Sequence, residues 1–114
     1  MSDVVLIDPK DALKRVMNNE KLYAKLLNKF KSDNSNIKEM EEALAKGDLE
    51  KAKNAVHTIK GLAANLSLVE LHKQSLEMES QIKAGSVNPG QFDELKNVFT
   101  LTLTEMDKVI AQYE

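Results

Sequence analysis

From residue 9 to residue 113, apolar side chains return every three or four positions with few interruptions. That spacing is the signature of one face of an α-helix. Only four Gly and two Pro occur in 114 residues. The elements must therefore be long, and the punctuating residues should mark their ends. After the aliphatic run Val4–Ile7, no stretch shows the period of two that a half-buried strand requires. The pattern predicts an all-α chain of six helices.

Asp8 before Pro9 reads as an N-cap with proline at the first helical position. A short helix should run to Met17 with Ala12, Leu13 and Val16 inward, and Asn18 and Asn19 break it. A second helix, ending at Lys31, points Leu22, Tyr23, Leu26, Leu27 and Phe30 inward. Residues 32–36 form a polar turn whose side chains compete for backbone hydrogen bonds. The third helix, Ile37 to Lys46, buries Ile37, Met40 and Leu44, and Gly47 suits its left-handed end. Asp48 caps the fourth, which continues to Leu66. Ser67 with Glu70 reads as a capping box for the fifth, which runs from Leu68 to Lys83 and stops at Gly85. Asn88 and Pro89 open the sixth, whose stripe lasts to Tyr113. Short connections make consecutive helices antiparallel neighbours. The expected architecture is one domain, 1–114. It is an up-down-up-down four-helix bundle over about 36–113, with two further N-terminal helices over about 9–31 that cap or extend it.

Charge and composition narrow the function. Sixteen Lys and Arg against eighteen Asp and Glu leave a net charge of −2, which argues against binding nucleic acid by bulk electrostatics. The absence of Cys excludes disulfide scaffolds, thiolate metal sites and thiol catalysis. With two His, any metal site would be carboxylate-rich. Val4–Ile7 is too short for a membrane span or a signal peptide.

The fourth helix carries the unusual surface. Leu49, Ala52, Val56, Ile59, Ala63 and Leu66 step by three and four into one apolar stripe. His57 lies away from that stripe, toward water. Its helical neighbours are Lys53, Lys60, Gly61 and Ala64, an imidazole and two ammonium groups with little bulk beyond them. A Gly inside a helix costs about 1 kcal/mol relative to Ala. Gly61 either leaves room beside the ring for something bulky or permits close approach of a neighbouring helix. A neutral imidazole, a cation and open space suit attack on an electrophilic phosphorus.

At these residues the chain resembles a family. The segment AVHTIKGLAANLSLVEL (55–71) is similar to the motif of histidine phosphotransfer (HPt) domains, close to A-H-x-L-K-G-S-A-x-x-L-G. Ala55, His57, Lys60, Gly61, Ala63, Asn65 and Leu66 fit, with one residue between Ala55 and His57. Gly47-Asp48, Leu26-Leu27-x-x-Phe30 and Leu76-Glu77 extend the likeness along the chain. Leu62 departs from the small residue often found after the motif Gly, and Ser67 from the frequent Gly ten residues past the His. By the wheel, Leu62 falls at the edge of the buried face, where it adds core and could alter partner choice.

The resemblance implies a phosphorelay intermediate. His57 would accept a phosphoryl group, by analogy on Nε2, from a receiver-domain aspartyl phosphate or a histidine kinase, and pass it to a response-regulator receiver. Lys60 would neutralise phosphate charge. Gly61 would leave access, with Lys53 and Ala64 flanking the docking surface. The catalytic groups and metal would sit on the receiver. The chain would then be a carrier and not an enzyme, with no cofactor and no metal, monomeric and cytoplasmic, binding neither nucleic acid nor membrane. The rival reading is a helical adaptor that docks partners through the same surface without phosphorylation. A metal-binding bundle is a distant third, because the Glu-x-x-His pairs of di-iron bundles are missing. His72 has no motif around it and reads as a boundary residue. Glu39, Glu41, Glu42, Asp93 and Glu94 read as solvated acids, and Met40, Met78 and Met106 as core.

Overall fold

The computed structural model describes residues 5–33 and 35–113. Val4 of the aliphatic run and Asn34 of the polar turn lie outside them. Six helices follow in order: α1 (Pro9–Arg15), α2 (Glu20–Ser32), α3 (Ser35–Ala45), α4 (Leu49–Leu66), α5 (Val69–Ala84) and α6 (Pro89–Tyr113). The described residues contain no strand.

Local chemistry sets most of the boundaries. The side chains of Asp8, Asn19 and Asp48 accept from the amides of Asp11, Leu22 and Lys51, satisfying donors that a helix start leaves open. Asn88 Oδ1 accepts from Gly90 N at the start of α6. Gly47 and Gly85 take positive φ where α3 and α5 end, the backbone that costs glycine least. Helix α1 stops two residues short of Met17, because Met17 and Asn18 both turn to positive φ. Helix α3 starts two residues early, at Ser35.

The helices α3 to α6 are joined by connections of two to four residues, and each packs on the next. Helix α2 lies along α6 as well. The rings of Phe30 and Phe99 stand 5.7 Å apart and those of Tyr23 and Tyr113 6.0 Å. Rising numbers in α2 meet falling numbers in α6, so the two run antiparallel. Helix α2 therefore extends the core, and Tyr23, Leu27 and Phe30 are buried in it. Leu22 points outward, 40% exposed. Lys31 pairs with Asp107, and Lys96 with Glu41 at 3.0 Å, tying α2 and α3 to α6.

One continuous apolar cluster joins Met40, Ala52, Val56, Ile59, Leu71, Met78, Leu95 and Met106. Ser75 and Thr102 lie inside it, yet each hydroxyl donates to the carbonyl four residues back, at 2.8 and 2.7 Å. Such bonds let a helix bury a hydroxyl without leaving it unpaired.

The α4–α5 connection differs from the capping box that the sequence suggests. Leu68 is the N-cap of α5, with no side-chain cap bond. Ser67 instead ends α4 in the left-handed region, φ 54° and ψ 44°. Its hydroxyl points away from α5 and donates to Asp11 Oδ2 at 2.6 Å. Its carbonyl accepts from Asp8 N at 3.0 Å. This turn thus anchors α1 against the end of α4. The bond from Ser67 also holds the Asp11 carboxyl below the usual carboxylate range.

Candidate functional site

Helix α4 buries Ala52, Ala55, Val56, Ile59, Ala63 and Leu66. Burying that stripe fixes the rotation of the helix and turns residue 57 outward. The His57 side chain is 70% exposed. Its ring is nevertheless held, because Nδ1 lies 3.2 Å from Glu79 Oε2 on α5. The other oxygen of the same carboxylate accepts from Lys60 Nζ at 2.7 Å. The Glu79 side chain is 8% exposed, so a buried acid links the two motif residues from the neighbouring helix.

The bond from Lys60, aided by the one from His57, holds the Glu79 carboxyl below its ordinary range, against the opposing effect of burial. Glu79 is therefore an anion near neutral pH, able only to accept. Nδ1 must then be the donor. A neutral ring with its proton on Nδ1 has its lone pair on Nε2. Nothing among the described residues bonds to Nε2. The arrangement fixes one ring nitrogen and leaves the other, with its lone pair, facing solvent.

Gly61 sits on the same outward face. A Cβ built there would meet nothing within 4 Å. No neighbouring helix presses on it, which removes close helix approach as the reason for glycine. The open space lies one turn from His57. Lys53 and Ala64, on the flanks, are both half-buried.

Two depressions continue along α4. One, of about 410 Å³, is lined by Val16, Leu26, Phe30, Leu62 and Leu66 together with the exposed Arg15, Lys29 and Asp33. Leu62 is half-buried and packs against the core. The other, of about 210 Å³, brings Ala64 beside His72, Asp8 and Asp11. The second imidazole thus borders the site surface. Among the described residues, no three His, Asp or Glu side chains gather so as to hold a metal ion.

The sequence singles out His57, Lys60, Gly61, Lys53 and Ala64, and the fold brings all five to one surface. It does not reveal Glu79. A signal exists, since Glu79 adjoins Met78 and lies four residues after Ser75, at the edge of the buried stripe of α5. A carboxylate there needs a partner, but the helix pattern alone does not name that partner.

Fold and site together define a class: a helical bundle displaying one exposed imidazole, oriented by a buried acid. The Hpt domain family model matches residues 25–110, from within α2 to near the end of α6, and the chain belongs to that family. Its role is histidine phosphotransfer in a two-component phosphorelay, as a phosphocarrier working with receiver domains and kinases. A crystal structure of histidine-containing phosphotransfer protein B (HptB) from Pseudomonas aeruginosa PAO1 has a similar fold. The TM-score is 0.82 at 22% identity, with 98% of this chain and 100% of that chain covered. At that identity the likeness concerns the fold alone. No curated protein matches the chain. No helix among the described residues is long and apolar enough to cross a membrane.

Proposed function

We propose that His57 is the phosphoacceptor of this protein, taking a phosphoryl group from a receiver-domain aspartyl phosphate, or from a histidine kinase, and passing it to a response-regulator receiver. The observation that carries this reading is the bond from His57 Nδ1 to the buried Glu79 carboxylate, in a ring whose other nitrogen faces water. Nε2 then needs to lose no proton before it attacks. With an aspartyl phosphate as donor, the Nε2 lone pair forms the N–P bond as the acyl P–O bond breaks, and the electron pair leaves with the aspartate carboxylate. Onward transfer reverses these steps on a second receiver.

Phosphoryl transfer asks mainly for positioning and charge neutralisation. Glu79 holds the ring, Lys60 supplies positive charge beside it, and Gly61 leaves room for the partner. Lys53 and Ala64 flank the docking surface, and the apolar depression around Leu62 offers a partner further contact area. On this reading the receiver supplies the catalytic acids and the metal. The chain works as a cytoplasmic monomer without a cofactor of its own. The exposure of the ring favours this reading over a phosphorylation-free adaptor, which has no use for an accessible, oriented imidazole.

The test is incubation with a phosphorylated receiver or a kinase, followed by assay for acid-labile, base-stable label. The wild type should carry such label and a His57→Gln variant none. Label persisting in that variant would overturn the assignment.

A further inference from the structure

Lys60 is the ammonium bonded to the same carboxylate as His57, so it is already engaged. Its Nζ donates to Glu79 at 2.7 Å, while the same carboxylate holds His57 Nδ1 at 3.2 Å. The Glu79 side chain is 8% exposed, so little water can replace a lost partner. In the resting site, one buried anion and one cation cancel. A phosphoryl group on Nε2 brings a charge of roughly −1.5 to −2 on its oxygens, offset in part by the ring, which becomes cationic because Nδ1 keeps its proton. The net negative charge of the site still rises, and the carboxylate and the phosphoryl group then both draw on the Lys60 ammonium, on either side of that ring. Moving Lys60 wholly to the phosphoryl group would leave the buried carboxylate with the Nδ1–H bond alone, and depriving a buried charge of its partner is costly.

We propose that Glu79 sets how readily the phosphoryl group leaves His57, by competing with it for the Lys60 ammonium. This rests on His57 being the phosphoacceptor. Glu79 is then a positioning residue with two effects. It keeps the ring proton on Nδ1, and it keeps the phosphorylated state under-neutralised. An under-neutralised phosphohistidine gives up its group easily, which suits a carrier that must unload as well as load.

An exchange equilibrium tests this without any protein partner. With N-phosphoimidazole as donor, one N–P bond breaks and another forms, imidazole leaves with its electron pair, and ³¹P NMR reads the ratio of phosphorylated to free protein. Glu79→Gln keeps an oxygen for Nδ1–H and removes the charge. The expected result is an equilibrium shifted about tenfold toward the phosphorylated protein, the scale of one charge-assisted hydrogen bond. In a Lys60→Gln background the same change should move the equilibrium by less than about twofold, since the competition is gone. Equal constants for wild type and Glu79→Gln would overturn the proposal, as would an equal shift in both backgrounds. In either case a signal lost in His57→Gln would leave the phosphoacceptor reading standing. A complete absence of His57-dependent signal would remove that reading, and the proposal with it. If Glu79→Gln fails to fold, the wild type still decides. The Lys60 Nζ resonance should move on phosphorylation, and an unchanged resonance overturns the competition.

Discussion

Toward α4, helix α5 presents Glu79, a carboxylate shared between Lys60 and His57. Toward α6 it presents Gln74 and Gln81, neutral amides that meet Gln91. Both faces join helices through polar groups, but their hydrogen bonding differs. On the α6 side, Gln91 donates to Gln74 at 2.9 Å and accepts from Gln81 at 3.1 Å. Gln74 donates onward to Glu70, and Gln81 accepts from Asn88 N. Each of these amides both gives and receives, so the chain satisfies itself. On the α4 side, the acid is satisfied while Nε2 of the imidazole is left facing solvent. The contrast separates polar groups that hold helices together from polar groups placed for the proposed chemistry. The first both give and receive bonds within the protein. The second orient one atom and leave its neighbour free.

Mutation should separate the two interfaces. The largest effect is expected at Gly61→Arg. It adds no clash at Cβ, because a Cβ there meets nothing within 4 Å. The melting temperature should hold or rise, since replacing a mid-helix Gly is worth up to about 1 kcal/mol. Transfer from a phosphorylated receiver should fall about a hundredfold, because a bulky side chain beside the ring displaces the approaching phosphorus. Loss of folding without a transfer defect would mean that the open surface serves packing.

A smaller effect is expected at Gln91→Ala, which removes the amide linking Gln74 and Gln81. Urea unfolding should show a loss of about 1 kcal/mol, the usual scale for a broken hydrogen bond. The rate of transfer should stay at the wild-type value. A transfer defect would show that the α5–α6 contact positions Glu79, and the contrast between the faces would weaken.

The smallest effect is in the acid limb of stability. The Glu79 carboxyl sits below its ordinary value of 4.5 in the folded protein, chiefly through Lys60. A depressed folded value stabilises fully above the unfolded value and is lost as pH falls through the folded one. Stability measured from about pH 6 down to about pH 3 should therefore fall less steeply in Glu79→Gln than in the wild type. Gln91→Ala should keep the wild-type slope, because an amide does not titrate. Identical slopes in wild type and Glu79→Gln would show that Glu79 is not held by these partners in solution.

Much of this was legible in residue order. The spacing of Leu49, Ala52, Val56, Ile59 and Ala63 turns His57 outward, and Gly61 follows to the same side. Helix starts at Pro9 and Pro89 and ends at Gly47 and Gly85 are local events, written in the residues beside them. Ser67 and Glu70 mislead because a capping pattern is also local, while its use is not. In the fold, Ser67 adopts a left-handed backbone and its hydroxyl goes to Asp11, 56 residues away. Leu22 misleads for a related reason: an apolar residue at helical spacing is buried only if a neighbouring helix reaches it.

The sequence by itself determined an all-helical chain, the outward face of α4, and the group of His57, Lys60 and Gly61 on it. These follow from the period of 3.6 residues, which depends on nothing beyond the helix itself. Only the tertiary structure decided that Glu79 stands behind His57, that Lys60 is bonded to that acid, and that Nε2 is the nitrogen left to solvent. Periodicity says which face of a helix is buried. Which residue of the next helix lies opposite depends on how the two helices slide and rotate as their side chains interlock, and that is settled by the packing of the whole core.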